Sequence, residues 1–245
     1  MAFAGLKIKI KKIRKLNSAI FADISGLGAV ECPICGWKGK EFLPFGFEAR
    51  KNAKCPNCGS LERHRLYYLY LKRKIPIYKN LKLLHFSPEK CLADFLRSYD
   101  NIEYLSADIN SNLAMKKEDI TNTSFENNSF DIIICSHILE HVAEDIKAMQ
   151  ELFRILKPGG FALIQVPIGY EGGKRKTTFE DFSINTPEER LKAFKHPEHV
   201  RIHGLDYKNK LKKAGFKVKI ISFTNEKLIK RFALRPGENL YICSK

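Results

Sequence analysis

The sequence predicts an α/β protein in two parts, a helix-covered parallel sheet over residues 81–245 preceded by a small cysteine-bearing module. Three observations predict it. From residue 81 onward, short apolar runs alternate with amphipathic segments, the pattern of strands crossing over through helices. The run Phe130-Asp131-Ile132-Ile133-Ile134-Cys135 is almost wholly apolar, which suits a strand covered on both faces. Ahead of it stand two matching knuckles, Cys32-Pro33-Ile34-Cys35-Gly36 and Cys55-Pro56-Asn57-Cys58-Gly59.

The elements follow in order. Residues 1–30 form a basic N-terminal segment. Within it, Lys7, Lys9, Lys11, Lys12, Arg14 and Lys15 alternate with apolar residues and meet no acid. Such an arm suits peripheral contact with an anionic surface, or simply a frayed or sheet-edge terminus. Residues 31–60 hold the knuckles. Each Cys-x-x-Cys turn aims two sulfurs at one point, and two turns supply four thiolates, the closed tetrahedral set that structural zinc takes. A rubredoxin-like iron site uses the same ligands. With Cys32, Cys35, Cys55 and Cys58 all committed, such a metal holds the fold and has no open position for chemistry. The other cysteines, Cys91, Cys135 and Cys243, sit in apolar contexts and read as core. Residues 61–80 read as a helical linker ending near Pro76, with His64 as a surface residue or, less simply, a substitute ligand.

In the larger part, strands are expected at residues 81–86, 102–107, 130–135, 161–166, 216–223 and 239–243. Helices are expected at 89–97, 144–156 and 208–214, the last stopped by Gly215. The turn Lys157-Pro158-Gly159-Gly160 separates a helix from a strand.

Two stretches carry a family resemblance: residues 131–142, Asp-Ile-Ile-Ile-Cys-Ser-His-Ile-Leu-Glu-His-Val, and residues 151–160, Glu-Leu-Phe-Arg-Ile-Leu-Lys-Pro-Gly-Gly. Together with Ala214-Gly215-Phe216, they resemble the class I S-adenosylmethionine-dependent methyltransferases, nearest to the type 11 group. The resemblance spans residues 81–245. It implies a Rossmann-like seven-stranded sheet, mostly parallel, whose last strand inserts antiparallel, with S-adenosylmethionine across the carboxyl ends of the first strands.

One departure stands out. Where the family reads Asp-x-Gly-x-Gly-x-Gly, this chain reads His85-Phe86-Ser87-Pro88-Glu89, without glycine. Small Ser87 and a helix-opening Pro88 are the features by which the loop would still admit the methionine part of the cofactor. The resemblance further implies Asp108, with Ile109 beside it, at the ribose hydroxyls. It implies Asp119 and Ile120 at the adenine, and Cys135, Ser136 and His137 at the cofactor end of the central strand.

Methyl transfer needs alignment and, for a hydroxyl or amine acceptor, a base. His137 is the candidate base on the cofactor side. His137, Glu140 and His141 also fit the spacing of an H-x-x-E-H metalloprotease helix, but the apolar strand before them and the Lys-Pro-Gly-Gly turn after them oppose that reading. Residues 167–205 are long for a connection and read as a lid or substrate insertion. That insertion contains Tyr170 and His196-Pro197-Glu198-His199-Val200-Arg201-Ile202-His203. Alternation puts His199, Arg201 and His203 on one side of an extended segment, as substrate contacts, bases (His199, His203) or, in the least favoured reading, ligands of a second metal.

The sequence thus favours a methyltransferase acting on a small molecule, lipid or glycan. A net charge of +16 suits acidic partners and keeps an RNA acceptor in view. A four-cysteine module ahead of such a domain resembles certain ribosomal RNA guanine methyltransferases. The Asn/Asp-Pro-Pro-Tyr/Phe motif of nucleobase enzymes is replaced by Cys135-Ser136-His137-Ile138, which disfavours RNA. A binding module with a degraded cofactor loop is the third reading. No apolar run reaches the ~18 residues of a membrane helix, and the basic start lacks a secretory apolar core, so a cytoplasmic location is expected.

Overall fold

A computed structural model describes residues 30–46, 49–110, 112–169 and 175–245. The basic segment at residues 7–15 and Tyr170 lie outside them. The chain forms two compact units, one of Met1–Ile75 with Thr224–Pro236, the other of Pro76–Phe223 with Gly237–Lys245. No helix among the described residues is long and apolar enough to cross a membrane.

The first unit is built on two short antiparallel pairs, β1 (Val30–Glu31) with β2 (Lys38–Gly39) and β3 (Leu43–Phe45) with β4 (Arg50–Lys54). Helix α1 (Glu62–Lys74) follows, and its last turn carries Lys72, Arg73 and Lys74, cations that suit the negative helix end. Its core is small: Val30, Cys32, Phe42 and Cys55 are buried against Trp37 and Ala233. A buried arginine compensates for that small core. Arg65, fully enclosed, donates to the carbonyls of Asn52, Ala53, Ser60, Phe232 and Ala233 and stacks 4.1 Å from the Phe42 ring. It thereby fastens the helix Glu226–Phe232 into this unit. His64, expected at the surface, is buried at 5% exposure, because its Nδ1 turns back to accept the Leu61 N–H at the helix start.

The second unit is a seven-stranded sheet. Its strands are β5 (Leu81–Phe86), β6 (Ile102–Asp108), β7 (Lys116–Lys117), β8 (Phe130–Ser136), β9 (Leu156–Gln165), β12 (Lys217–Ser222) and β13 (Asn239–Ser244), in the order β12-β13-β9-β8-β5-β6-β7. β13 runs antiparallel to both of its neighbours, whereas β5, β6, β7, β8 and β9 are mutually parallel. The predicted fold, with its antiparallel last strand, is present. Helices α2 (Lys90–Leu96), α3 (Asp145–Ile155) and α5 (Tyr207–Lys213) connect strands. The short pair β10 (Phe179–Glu180) with β11 (Arg201–Ile202) and helix α4 (Pro187–Phe194) fill the long insertion.

Alternating residues of β5 and β8 feed the core, with Leu84, Phe86, Ile133 and Cys135 packed against Met149, Leu152 and Ile155 of α3. Two details depart from expectation. The Lys157–Gly160 segment, expected as a turn, is extended within β9, since Leu156 already pairs with Phe130 before a bulge. The resemblance implies a seventh strand but the sequence does not locate it, because β7 is two exposed lysines paired with Ala107 and Asp108.

Candidate active site and metal centre

In the first unit the two knuckles fold alike. Gly36 N donates to Cys32 O and Gly59 N to Cys55 O, at 2.9 and 3.0 Å. Both glycines take left-handed backbone angles, φ +74° and +71°, which a side chain would oppose. The four sulfurs converge: Cys32 Sγ lies 3.6 Å from Cys58 Sγ and Cys35 Sγ 3.7 Å from Cys55 Sγ. A disulfide would bring sulfurs to about 2.05 Å. A tetrahedron of sulfurs about 2.3 Å from a central zinc ion has edges of about 3.8 Å. The donor set therefore fits a four-thiolate metal and not a bridge, and all seven cysteines are free.

In the second unit a cavity of about 680 Å³ opens at the carboxyl ends of β5, β6 and β8, within the size range of small-ligand sites. The loop after β5 forms one wall. Ser87 adopts φ +47° without being glycine. Its N–H donates to Ala107 O at 2.9 Å and its hydroxyl donates to Asp108 Oδ2. The other Asp108 oxygen accepts Asn110 N–H at 2.7 Å. Ser87 thus holds this turn, and its hydroxyl bond offsets a left-handed conformation that costs about 1–2 kcal/mol.

The expected cofactor residues separate into two groups. Phe86, Ser87, Asp108, Ile109, Asp119, Ile120 and His137 line the cavity. His85, Cys135 and Ser136 are buried, and with Pro88 and Glu89 they are not among its lining residues. His85 instead braces the loop from behind, its ring bridging Tyr104 Oη at 3.1 Å and Glu89 Oε2 at 2.9 Å. Burial pushes the Tyr104 phenol up to about 12, so it stays protonated there. Asp119 Oδ1 accepts both the Thr121 N–H and its hydroxyl at 2.8 Å. Residues the sequence did not single out, including Asn110, Glu118, Thr121, Ile138 and Val142, complete the wall. The pattern Asp108-Ile109-Asn110 carried the one signal for Asn110, an Asx turn.

His137 also holds a positive φ of +56°, its N–H donating to Gln165 O at 2.8 Å. Two strained non-glycine residues, Ser87 and His137, therefore face one cavity, where such strain usually collects. His137 Nδ1 lies 3.1 Å from Glu140 Oε1, without hydrogen-bond alignment. Burial pushes the Glu140 carboxyl up, but His137, a backbone N–H and the nearby His141 together outweigh it and hold the group at about 2.

The insertion residues are placed differently from their expected common face. His199, Arg201 and His203 are all buried, at 8%, 1% and 0% exposure, and none is among the cavity's lining residues. Arg201 donates to the carbonyls of Leu139 (2.8 Å), Val142 and Ala143 (2.7 Å), and to Glu180 at 2.8 Å. It holds the loop after β8. His203 packs edge-on to Tyr207, 4.9 Å between ring centroids, and burial drives its pKa down to about 3. His199 meets His141 and His196, and burial lowers it to about 3 as well.

Comparison with known proteins agrees with this picture. Residues 86–164 match the type 11 family described as Methyltransferase domain. An S-adenosylmethionine-dependent methyltransferase structure from Mesorhizobium loti superposes with TM-score 0.50 at 16% identity, over 73% of this chain and 97% of that one. Another from Archaeoglobus fulgidus does so with TM-score 0.50 at 17% identity, over 76% and 95%. A search of curated proteins found no match. The second unit carries a methyltransferase-domain sequence match on the S-adenosylmethionine-dependent methyltransferase fold.

Proposed function

We propose that the chain transfers a methyl group from S-adenosylmethionine to a small-molecule, lipid or glycan acceptor. The observation that carries this reading is the Ser87–Asp108 pair. The glycine-free loop keeps a left-handed turn and ties it to the acidic residue at the end of β6. In this reading Asp108 accepts from the ribose hydroxyls, Asp119 and Ile120 receive the adenine, and Phe86 and Ser87 border the methionine part. When bound, the cofactor supplies an electrophilic methyl on a sulfonium.

His137 stands at the acceptor side. Its ring is about a quarter exposed and lies against the buried Glu140 carboxylate, which orients it toward the cavity as a base for a hydroxyl or amine acceptor. Arg201 fixes the loop between them. The four cysteines hold structural zinc, and a cytoplasmic setting suits their free thiols.

Calorimetric titration of the full chain with S-adenosylhomocysteine tests the cofactor contacts. Asp108→Ala is expected to weaken binding by roughly 10- to 100-fold, the value of hydrogen bonds to a charged group. Unchanged affinity would remove the ribose assignment.

A further inference from the structure

We infer that His141, His196 and His199 form a second metal site, one that takes a divalent transition ion such as Zn²⁺, Co²⁺ or Ni²⁺. One ligand nitrogen from each ring lies within 4.8 Å of the others. The rings cluster tightly. His141 meets His199 edge-on at 4.6 Å and His196 at 5.5 Å, and His196 stacks on His199 at 4.3 Å.

Three imidazoles are the donor set that borderline divalent ions prefer over Mg²⁺ or Ca²⁺, and three protein ligands leave a position open. His141 also lines the cavity, so an ion held here faces the space beside His137. The site is built, because its two strands of chain are locked together before any ion arrives. Val200 N–H, next to His199, donates to Glu140 O at 2.9 Å, next to His141. Arg201, two residues past His199, takes three carbonyls of the same loop. Ligands held this way lose little freedom on binding.

The neighbouring charge has the right sign. Glu140 is buried at 1% exposure, with neither oxygen in an aligned hydrogen bond. It is the residue next to His141 in the chain, and a cation beside a buried carboxylate is favoured. One bond must adjust: His196 Nδ1 now accepts the Glu198 N–H at 3.2 Å, a long bond on an intermediate residue. The four remaining histidines lie elsewhere: His64 at the α1 start, His85 on Tyr104 and Glu89, His137 against Glu140, and His203 on Tyr207. This site does not depend on the methyl-transfer reading.

The test is Co²⁺ titration of the full chain with zinc already in its four-cysteine site, read by d–d absorption and by metal content after desalting. The expected result is one further equivalent carrying the spectrum of a nitrogen-ligated ion without thiolate charge-transfer bands. His141→Ala and His196→Ala, on exposed or half-exposed residues, should each weaken it by more than the ~10- to 100-fold that outer-shell changes cause. The circular dichroism of both should stay at wild-type values, as should the S-adenosylhomocysteine affinity of His196→Ala, whose side chain is not part of the cavity wall. Uptake limited to the four-cysteine equivalent would overturn the inference. So would a further equivalent that both variants retain. Cobalt binding without cofactor binding would sink the methyltransferase reading and leave this one standing.

Discussion

The cysteine cluster and the histidine cluster are built in opposite ways. The four thiols come from two knuckles of the same local form, each closed by its own backbone turn and glycine. The three imidazoles come from two distant segments, the loop after β8 and the insertion after α4, joined by Val200, Arg201 and the Glu140 carbonyl. The first kind of site is set by spacing. The second depends on a buried cation, Arg201, that joins one segment to the carbonyls of the other. Each unit in fact holds such a cation, Arg65 in one and Arg201 in the other, and each guanidinium bonds main-chain carbonyls.

The largest effect that can break this contrast is removal of the thiolates. Cys32→Ser together with Cys55→Ser should release zinc and unfold the first unit, since a structural zinc contributes roughly 10–16 kcal/mol in apparent binding. Metal analysis with limited proteolysis checks it; a protease-resistant, metal-free first unit would contradict the assignment. Next, Arg201→Ala should destabilise the second unit by about 3–5 kcal/mol, because Asp145 and Glu180 lose a buried partner and the loop carbonyls lose donors. Urea unfolding measures it, and the same variant should also lose the added cobalt equivalent, as loss of a spacing-set site would not require.

A smaller effect concerns pH. The Arg154 guanidinium, aided by Thr123, holds the Glu151 carboxyl at about 2, below its ordinary 4.5. A lowered folded pKa gives stability that is present above about pH 4.5 and lost as pH falls towards 2. Acid titration of unfolding should therefore show a decline across that window, softened in Glu151→Gln. An identical acid profile in the variant would remove Glu151 from the account.

What the sequence revealed follows the same division. Strands β5, β8 and β13 were readable because burial on both faces demands nearly continuous apolar runs, broken only by residues such as Lys82 and Asp131. The knuckles were readable because their chemistry is local. Strand β7 was not, since two lysines on the sheet edge carry no apolar period. Nor did spacing reveal that His199, Arg201 and His203 go to separate surroundings: β11 is only two residues long, too short for alternation to set a common face. The packing of residues 224–236 in the first unit rests on Arg65 reaching the carbonyls of Phe232 and Ala233. Such backbone acceptors are the same for every sequence and leave no trace in side-chain pattern. In the cavity wall, the family resemblance pointed to Asp108 and Ile120, both of which line it, while the use of His85 as a brace needed the Tyr104 and Glu89 contacts.

The central claim is that Ser87 performs the turn that glycine performs elsewhere, so that the cavity holds S-adenosylmethionine. Calorimetric titration of the wild type, Ser87→Gly and Ser87→Val with that cofactor tests it most directly. Saturable one-to-one binding is predicted for the wild type, with Ser87→Gly within about threefold, since relief of roughly 1–2 kcal/mol of backbone strain offsets loss of the Asp108 bond. Ser87→Val, branched at Cβ and without a hydroxyl, should lose most affinity. No heat from the wild type at any concentration, or equal binding by Ser87→Val, would contradict the claim.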